Sequence, residues 1–199
     1  STDPLADYTA ALVLQLEALT TQSSAIDGAA QAIAQTILAD GMLHVFGTGH
    51  SHLLAAELFY RAGGLGAVNP VLIEGLLLHA GAELSTSMER VSGLGQVIFA
   101  QMDVGPSDTL LVISNSGGNV IARELTELAT EAGLSTIALT SLAHATSATS
   151  RGSSAARIDQ LAQFVIDNGG APGDAVLDIE GVDRPMGPTS TVIGAAIVN

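Results

Sequence analysis

The stretch VISNSGGNVIAR, residues 112–123, decides the fold of this chain. The apolar, β-branched-rich run Leu110–Ile113 predicts a buried strand. The turn SNSGGN at 114–119 follows, and helical spacing begins at Val120. A strand that enters a turn of small residues and then a helix leaves free backbone N–H groups, which together with the helix dipole favour an anion. The stretch therefore predicts an anion-binding turn.

A second unit of the same kind lies earlier in the chain. The strand Leu43–Phe46 leads into the turn GTGHS at 47–51, and a helix is expected from about His52. Both turns offer side-chain donors in addition to backbone N–H groups. Because open parallel sheets bind ligands beyond the carboxyl ends of their strands, the two turns together predict a pocket for a phosphorylated small molecule.

Apolar runs alternate with helical stretches along the chain, which predicts βαβ units and a parallel sheet with helices on both faces. Helical segments are expected within residues 4–40 (two helices), at 52–63, at 76–78, at 83–101 and at Val120–Ala132. The predicted strands are Gly41–Phe46, Ala67–Ile73, Thr109–Ile113, Thr136–Leu139, Phe164–Ile166 and Val176–Ile179. Residues 141–157 are expected to form a loop, with or without a short helix. We expect residues 1–40 to pack on the domain or on a partner subunit, and residues 41–199 to form one domain.

The composition limits the classes of protein to which the chain can belong. Of its 199 residues, 47% are hydrophobic but only 3% are aromatic, so the core must be built from Ala, Leu, Ile and Val. No uncharged apolar run reaches about 18 residues, and the start STDPLADY does not resemble a signal peptide. Cysteine is absent, which excludes disulfides and thiolate metal sites. We expect a cytoplasmic protein with no membrane partner.

The formal net charge of −14 argues against a nucleic-acid partner, because binding to that backbone requires clustered Lys and Arg. All six basic residues are arginine. The lack of lysine excludes a Schiff base, a pyridoxal phosphate linkage and a P-loop lysine. A bound phosphate must therefore be held by backbone N–H groups, by hydroxyls or by an arginine.

At this point the sequence resembles the SIS (sugar isomerase) domain family. GTGHS at 47–51 and SNSGGN at 114–119 resemble the two phosphosugar-binding turns of that domain, and GPTSTVIGAA at 187–196 resembles the start of its closing helix. The resemblance runs from about Asp27 to the C-terminus and is greatest to bacterial SIS-domain phosphosugar-binding proteins. It extends to phosphoheptose isomerases and N-acetylmuramic acid 6-phosphate etherases. It implies a three-layer αβα sandwich with a mainly parallel five-stranded sheet of flavodoxin-like topology.

The resemblance also implies a phosphorylated sugar as the ligand, no cofactor, and a homodimer or dimer of dimers whose subunits share sites. Ser51 could instead be a simple helix cap, and so could the residues that begin the last helix. Ser141 and His144 follow another strand at the carboxyl edge, where ligands bind. The expected substrate-binding residues are Gly47, Thr48, Gly49, His50, Ser51, Ser114, Asn115, Ser116, Gly117, Asn119, Ser141, Thr189, Ser190 and Thr191.

Aldose–ketose isomerisation and ether elimination both require a general base and a general acid. Glu57 lies six residues after Ser51 and is expected to face inward, where partial burial would raise the pKa of its carboxyl; it could equally be a surface charge. The other catalytic candidates are Glu74, Glu83, His52 and His79.

The remaining histidines have other expected roles. His50 and His52 flank Ser51 and suit hydroxyl recognition better than a metal, since no third ligand is indicated. His44, inside a strand, is interpreted as a core residue.

The sequence also departs from the isomerase pattern. Where phosphoheptose isomerases and the etherases carry a glutamate on the first helix, this chain has Tyr60-Arg61. The histidine that the isomerases carry on their last helix has no counterpart before Asn199, and we expect that helix to continue in the intact domain.

Several functions remain open at this stage. The preferred interpretation is a phosphosugar isomerase with a carboxylate base. The alternatives are an etherase-like lyase and a phosphosugar sensor without chemistry. A dinucleotide-binding dehydrogenase is disfavoured, because His52 occupies the third glycine position of its fingerprint and the SNSGGN turn has no role in it.

Overall fold

Five parallel strands form a sheet in the order β2-β1-β3-β4-β5 in a computed structural model that describes residues 3–147 and 155–199. The strands are β1 Leu43–Gly47, β2 Val68–Val71, β3 Thr109–Ile113, β4 Ser135–Thr140 and β5 Phe164–Asp167. Each neighbouring pair is parallel. The predicted α/β class and the five-stranded parallel sheet are confirmed.

Helices cover both faces of the sheet. They are α1 Pro4–Leu19, α2 Ser23–Leu38, α3 His52–Leu58, α4 Ala82–Met88, α5 Leu94–Phe99, α6 Val120–Glu131, α7 Leu142–Thr146, α8 Ile158–Leu161 and α9 Ser190–Val198. Short 3₁₀ turns lie at Thr20–Gln22, Gly49–Ser51, Glu74–Leu76 and Leu78–Ala80. Across the described ranges, none of these helices combines the length and apolarity that crossing a membrane would need.

Two hydrophobic cores enclose the sheet, one on each face. Phe46, Leu110 and Val112 face the core that α5, α6 and α8 cover. Their neighbours along the strands, such as Val45 and Leu111, face the core shared with α2, α3 and α9. Since side chains alternate along a strand, a strand buried on both faces is mostly apolar, which explains why β1 and β3 are apolar apart from their buried His44 and Thr109.

Four predicted elements differ from the structure. The helical segment expected at 76–78 is interrupted by the extended Leu77, which separates two 3₁₀ turns. The helix expected at 52–63 ends at Leu58, because Phe59 is extended and Tyr60 has a left-handed backbone with φ of 47°. The helical stretch expected at 83–101 is split into α4 and α5, with Gly93 at φ +86° before α5. The strand expected at Val176–Ile179 is wrong, since that glycine- and proline-flanked segment forms only an isolated antiparallel bridge between Leu177 and Met186. Residues 148–154 of the predicted loop lie outside the described residues.

The two N-terminal helices contact the rest of the chain in different ways. Helix α2 packs on β1, β3 and β5. Helix α1 contacts α9, and Tyr8 donates a hydrogen bond to the carbonyl of Pro188 over 2.6 Å. Between the two helices, the Gln22 side chain exchanges hydrogen bonds of 2.7 and 2.9 Å with the backbone of Asp167 on β5. The division of the chain into an N-terminal helical segment at 1–40 and a domain at 41–199 stays a prediction.

A buried polar network lies at the amino edge of the sheet. The His44 ring bonds to the Asp108 carboxylate over 3.0 Å and to the Asn69 side chain over 2.9 Å. Asp108 also accepts hydrogen bonds of 2.7 Å from the backbone N–H groups of Met42 and Gly105. The prediction that His44 is a core residue is confirmed, because both of its ring nitrogens have partners inside the fold.

Opposing effects act on the pKa of Asp108. Burial raises the pKa of the carboxyl, but the hydrogen bonds from Gly105, His44 and Met42 outweigh burial and hold the pKa below its ordinary value. The charged form therefore stabilises the fold. That contribution is complete above the pKa of the unfolded chain, about 4, and is lost as the pH falls through the lower folded pKa.

Replacing Asp108 by alanine should destabilise the fold at pH 7 by about 2–4 kcal/mol, because three donors lose their acceptor. The difference from the wild type should shrink below about pH 4. Urea denaturation at pH 7 and pH 3 measures both values, with Asp183→Ala on an exposed loop as the control. An equal loss of stability at the two pH values would contradict this account.

Candidate functional site

The two small-residue turns leave the sheet side by side. Strands β1 and β3 are neighbours, and their parallel register pairs Gly47 with Ile113 at the carboxyl edge. The turns at 47–51 and 114–119 therefore begin at the same height. Their juxtaposition follows from strand pairing and was predicted from the sequence.

The first turn doubles back tightly on its own strand. A Cβ on Gly47 would lie 2.7 Å from the carbonyl carbon of Ser51, so only glycine fits there. Gly49 has a φ of +55°, which glycine adopts without strain. The backbone N–H of Ser51 bonds to the carbonyl of Thr48 over 3.1 Å, and the His52 ring bonds to the carbonyl of Gly49. These contacts hold the turn and place Ser51 directly before α3.

The second turn is held by its own side chains and by α8. The buried Ser114 hydroxyl accepts a hydrogen bond of 3.2 Å from the N–H of Gly117. The carbonyl of Gly117 accepts one of 3.0 Å from the N–H of Ile158. Asn119 caps α6, since its side-chain oxygen accepts from Ile121 and Ala122 over 3.0 and 3.2 Å. This turn is therefore held by hydrogen bonds within the protein.

Glu89 joins the two turns, and sequence reasoning missed it. One of its carboxylate oxygens accepts a hydrogen bond of 2.9 Å from the Thr48 hydroxyl and one of 2.8 Å from the Asn119 amide. The same amide also donates to the Thr48 hydroxyl over 2.9 Å. Nothing in the local sequence marks this glutamate, which follows α4 within a predicted helical stretch. Only the packing of α4 brings its carboxylate to the turns.

A cavity of about 200 Å³ opens beside the turns at the carboxyl edge. Leu54, Ile113 and Leu139 form its apolar floor. The polar wall combines both turns with later segments of the chain, namely His50, Ser51, Asn115, Asn168, Asp174, Ser190 and Thr191. An apolar floor with a few converging polar groups is typical of a small-molecule site.

Asn168, on the cavity wall, is joined to β4 because its backbone N–H donates to the carbonyl of Thr140 over 2.8 Å. Its amide donates to the Asn115 side chain over 2.9 Å, and its oxygen accepts from the N–H of Gly170 over 2.8 Å. The Ser141 hydroxyl donates to the carbonyl of Gly170 over 2.6 Å. Ser141, a predicted ligand contact, is thus fully buried and orients the loop that carries Asn168. His144 similarly accepts a hydrogen bond of 2.8 Å from the N–H of Gly173.

Asp174 occupies the start of the last helix. Its carboxylate accepts hydrogen bonds from the N–H groups of Thr189 and Ser190 over 3.1 and 3.0 Å, and from the Ser190 hydroxyl over 2.5 Å. Of the three predicted contacts in this segment, Ser190 and Thr191 line the cavity. Thr189 is completely buried, and its hydroxyl has no hydrogen-bond partner within the described part of the chain.

The predicted carboxylate bases lie away from this cavity. Glu57 is not turned inward as expected, because its half-exposed carboxylate pairs with Arg61 and accepts a hydrogen bond of 3.0 Å from Asn199. Glu74 and Glu83 are exposed on short helical turns. Among the residues that the structure describes, the cavity wall therefore contains no glutamate.

The histidine candidates remain close to one another. The rings of His52 and His79 meet edge to face, with their centroids 6.3 Å apart, and His79 is exposed. His50 borders the cavity. Within residues 3–147 and 155–199 no cluster of three or more His, Cys, Asp or Glu side chains could hold a metal ion.

A larger cavity of about 440 Å³ lies between α2, α3, α9 and the sheet. Its lining is almost wholly apolar, with Ile33, Leu58 and Ile137 among the side chains. It offers no set of donors for a phosphate. The smaller cavity at the turns is therefore the candidate functional site, because it alone of the two combines volume with converging polar groups.

Comparison with known proteins gives consistent results. Residues 7–141 match the family model described as the SIS domain. A UPF0309 protein of Listeria monocytogenes serotype 4b is 44% identical over 166 residues, which cover 83% of this chain and 67% of that protein. A phosphoheptose isomerase structure from Francisella tularensis shares the fold with a TM-score of 0.61 at 19% identity, over 100% of this chain and 94% of that one. The phosphoheptose isomerase GmhA from Neisseria gonorrhoeae gives a TM-score of 0.58 at 17% identity, with 98% and 92% covered.

The hydrogen bond between Glu89 and Asn119 can be tested by exchanging which of the two side chains carries the charge. Asn119→Asp keeps the oxygen that caps α6 but removes the amide donor and places a second carboxylate beside Glu89. We expect it to destabilise the fold at neutral pH by about 1–2 kcal/mol. Adding Glu89→Gln supplies a new amide donor, so the double variant should be more stable than Asn119→Asp alone. Urea denaturation of the four proteins gives the coupling energy, and strictly additive effects would show that the two side chains do not interact.

Proposed function

The chain belongs to the SIS domain family, and we propose that it binds a phosphorylated sugar in the cavity beside its two turns and isomerises it. The observation that supports this most is the pairing of the two turns at one sheet edge, next to a polar cavity of about 200 Å³.

The phosphate is proposed to bind at the second turn. Helix α6 is 12 residues long and begins directly after SNSGGN, so its dipole favours an anion at that point. Asn119 already accepts from the N–H groups of Ile121 and Ala122, so a phosphate would bond to the backbone N–H groups that precede Ile121. Ser51, Ser114 and Ser116 add hydroxyl donors from the two turns. Neither lysine nor arginine is found among the side chains that the structure places on the cavity wall. Backbone and hydroxyl donors are therefore the groups that would hold the phosphate.

The sugar is proposed to lie across the apolar floor. Asn115, Asn168 and His50 on the wall can bond to ring hydroxyls. Leu54, Ile113 and Leu139 would contact the carbon skeleton. A cavity of about 200 Å³ with both polar donors and apolar side chains in its lining fits a hexose or heptose phosphate better than inorganic phosphate.

Isomerisation would pass through an enediol. A base removes the proton from the carbon beside the carbonyl, and an acid returns a proton to the neighbouring carbon. Glu89 does not line the cavity either, but its carboxylate contacts the side chains of Thr48 and Asn119 in the two turns beside the cavity, and it is the proposed acid–base residue for that reason. His52 and His79 stay candidates for proton transfer to the oxygens.

A binding protein without chemistry is the second candidate. It is favoured by the positions of Glu57, Glu74 and Glu83, none of which lines the cavity. In that case the cavity would sense a phosphosugar and transmit its presence to a partner protein.

A subunit interface is part of the proposal. Helix α1 has no buried residue, and its Leu5 and Leu16 side chains, which lie on one face of the helix, are 76% and 41% exposed. Large apolar side chains of this kind commonly mark a protein–protein contact when they are contiguous. We propose that α1 packs against a second subunit, in at least a dimer.

The binding proposal is tested by calorimetric titration with hexose, hexosamine, N-acetylmuramic acid and heptose phosphates, with the parent sugars as controls. At least one phosphorylated sugar should bind while its parent does not. Ser51→Ala and Ser116→Ala should each weaken binding about tenfold, or about 1.4 kcal/mol. Ser135→Ala, at the amino end of β4, is the matched control and should have no effect. Failure of every phosphosugar to bind the folded wild type would contradict the proposal.

The isomerase proposal is tested by proton exchange. In D₂O, an enediol intermediate should place deuterium on the carbon beside the carbonyl of a bound sugar phosphate, which NMR detects. Glu89→Gln should slow this exchange by about 10²-fold or more while leaving the dissociation constant nearly unchanged. Glu131→Gln, at the exposed end of α6, is the control. Binding to the wild type without any exchange would refute the isomerase and favour the sensor.

A further inference from the structure

We propose that Asp174 determines which sugar phosphates this site accepts: it favours a ligand whose end remote from the phosphate carries hydroxyl or ammonium groups, and it rejects one with a second acidic group there. This inference rests on the proposed function. It assigns a specificity-determining role to a residue that belongs to neither of the two turns.

The position of Asp174 carries the argument. Its carboxylate lies on the cavity wall and fills the start of α9 with three hydrogen bonds, from two backbone N–H groups and the Ser190 hydroxyl. The start of a nine-residue helix would otherwise attract an anion. Because a carboxylate of the protein already takes that place, a phosphate or carboxylate of a ligand cannot use it. The ligand phosphate is thereby directed to the turn at 114–119.

The charged side chains that line the cavity also support a preference against a second acidic group on the ligand. His50 and Asp174 are the titratable side chains that the structure places around the cavity, and no arginine there balances the carboxylate. A ligand with one phosphate can keep that group at the turns. A ligand with acidic groups at both ends must bring the second one close to Asp174, inside a partly enclosed cavity where water screens charges poorly.

Asp174 can still accept a hydrogen bond from a ligand. A carboxylate offers about four acceptor positions, and three of them are used within the protein. A ligand hydroxyl can occupy the remaining one. An ammonium group can do the same with a stronger, charge-assisted bond. The expected preference is therefore amino sugar phosphate over neutral sugar phosphate over sugar bisphosphate.

The experiment compares three probes of one ring size, namely glucosamine 6-phosphate, glucose 6-phosphate and glucose 1,6-bisphosphate. Calorimetry on the full chain should give at least tenfold tighter binding of the amino sugar than of the bisphosphate. Asp174→Asn keeps an oxygen for the N–H groups of α9 and removes the charge, so it should reduce this ratio about tenfold. Asp183→Asn removes the same charge from an exposed position in the segment before α9 and should leave the ratio unchanged.

The outcomes separate the two proposals. If the wild type binds all three probes equally, the role of Asp174 is refuted without reference to any variant, while phosphosugar binding stands. An unchanged ratio in folded Asp174→Asn also refutes it. If no probe and no other sugar phosphate binds, the proposed function fails and this inference fails with it.

Discussion

The register between β1 and β3 is the constraint on which the rest of the molecule depends. Pairing Gly47 with Ile113 places two unrelated turns at one edge, and both strands are buried on both faces. A slip of one residue would turn every side chain toward the wrong core. The register is therefore fixed by hydrophobic packing far from any ligand. The site inherits its geometry from that packing, which explains how so few polar residues can be held in a defined arrangement.

The sheet could be predicted from the sequence because its signals are local. A strand buried on both faces is mostly apolar: β3 is a continuous apolar run from Leu110 to Ile113, and His44 is the only polar side chain in β1. The ends of the short helices could not be predicted in this way. Helix α3 ends at Leu58, and two residues later Tyr60 adopts a left-handed backbone conformation that tyrosine ordinarily avoids. The segment around Leu177 has strand-like residues, but it forms a single antiparallel bridge with Met186 and does not join the sheet.

The residues of the site likewise fall into those placed by local structure, which the sequence predicts, and those placed by tertiary packing, which it does not. Ser51, Asn115 and Asn119 lie in turns that the chain forms locally, so their neighbourhood was visible in the sequence. Glu89 and Asp174 reach the site only through tertiary packing, and no spacing relates them to the turns. Glu57 shows the converse error. It was chosen for its closeness to Ser51 along the chain, yet the buried stripe of α3 runs through Leu54, Ala55 and Leu58, which leaves Glu57 at its margin.

An acidic chain that binds an anion poses an electrostatic problem with a physical solution. A net charge of −14 repels a phosphosugar at long range, but at physiological salt that field is screened beyond about 8 Å. Binding then depends on donors within hydrogen-bond reach, and backbone N–H groups supply these without any counter-charge. The same reasoning gives a partly buried carboxylate on the cavity wall more influence than the many on the surface. Asp174 lines the cavity, so its charge acts on a ligand at short range while the distant acidic residues do not.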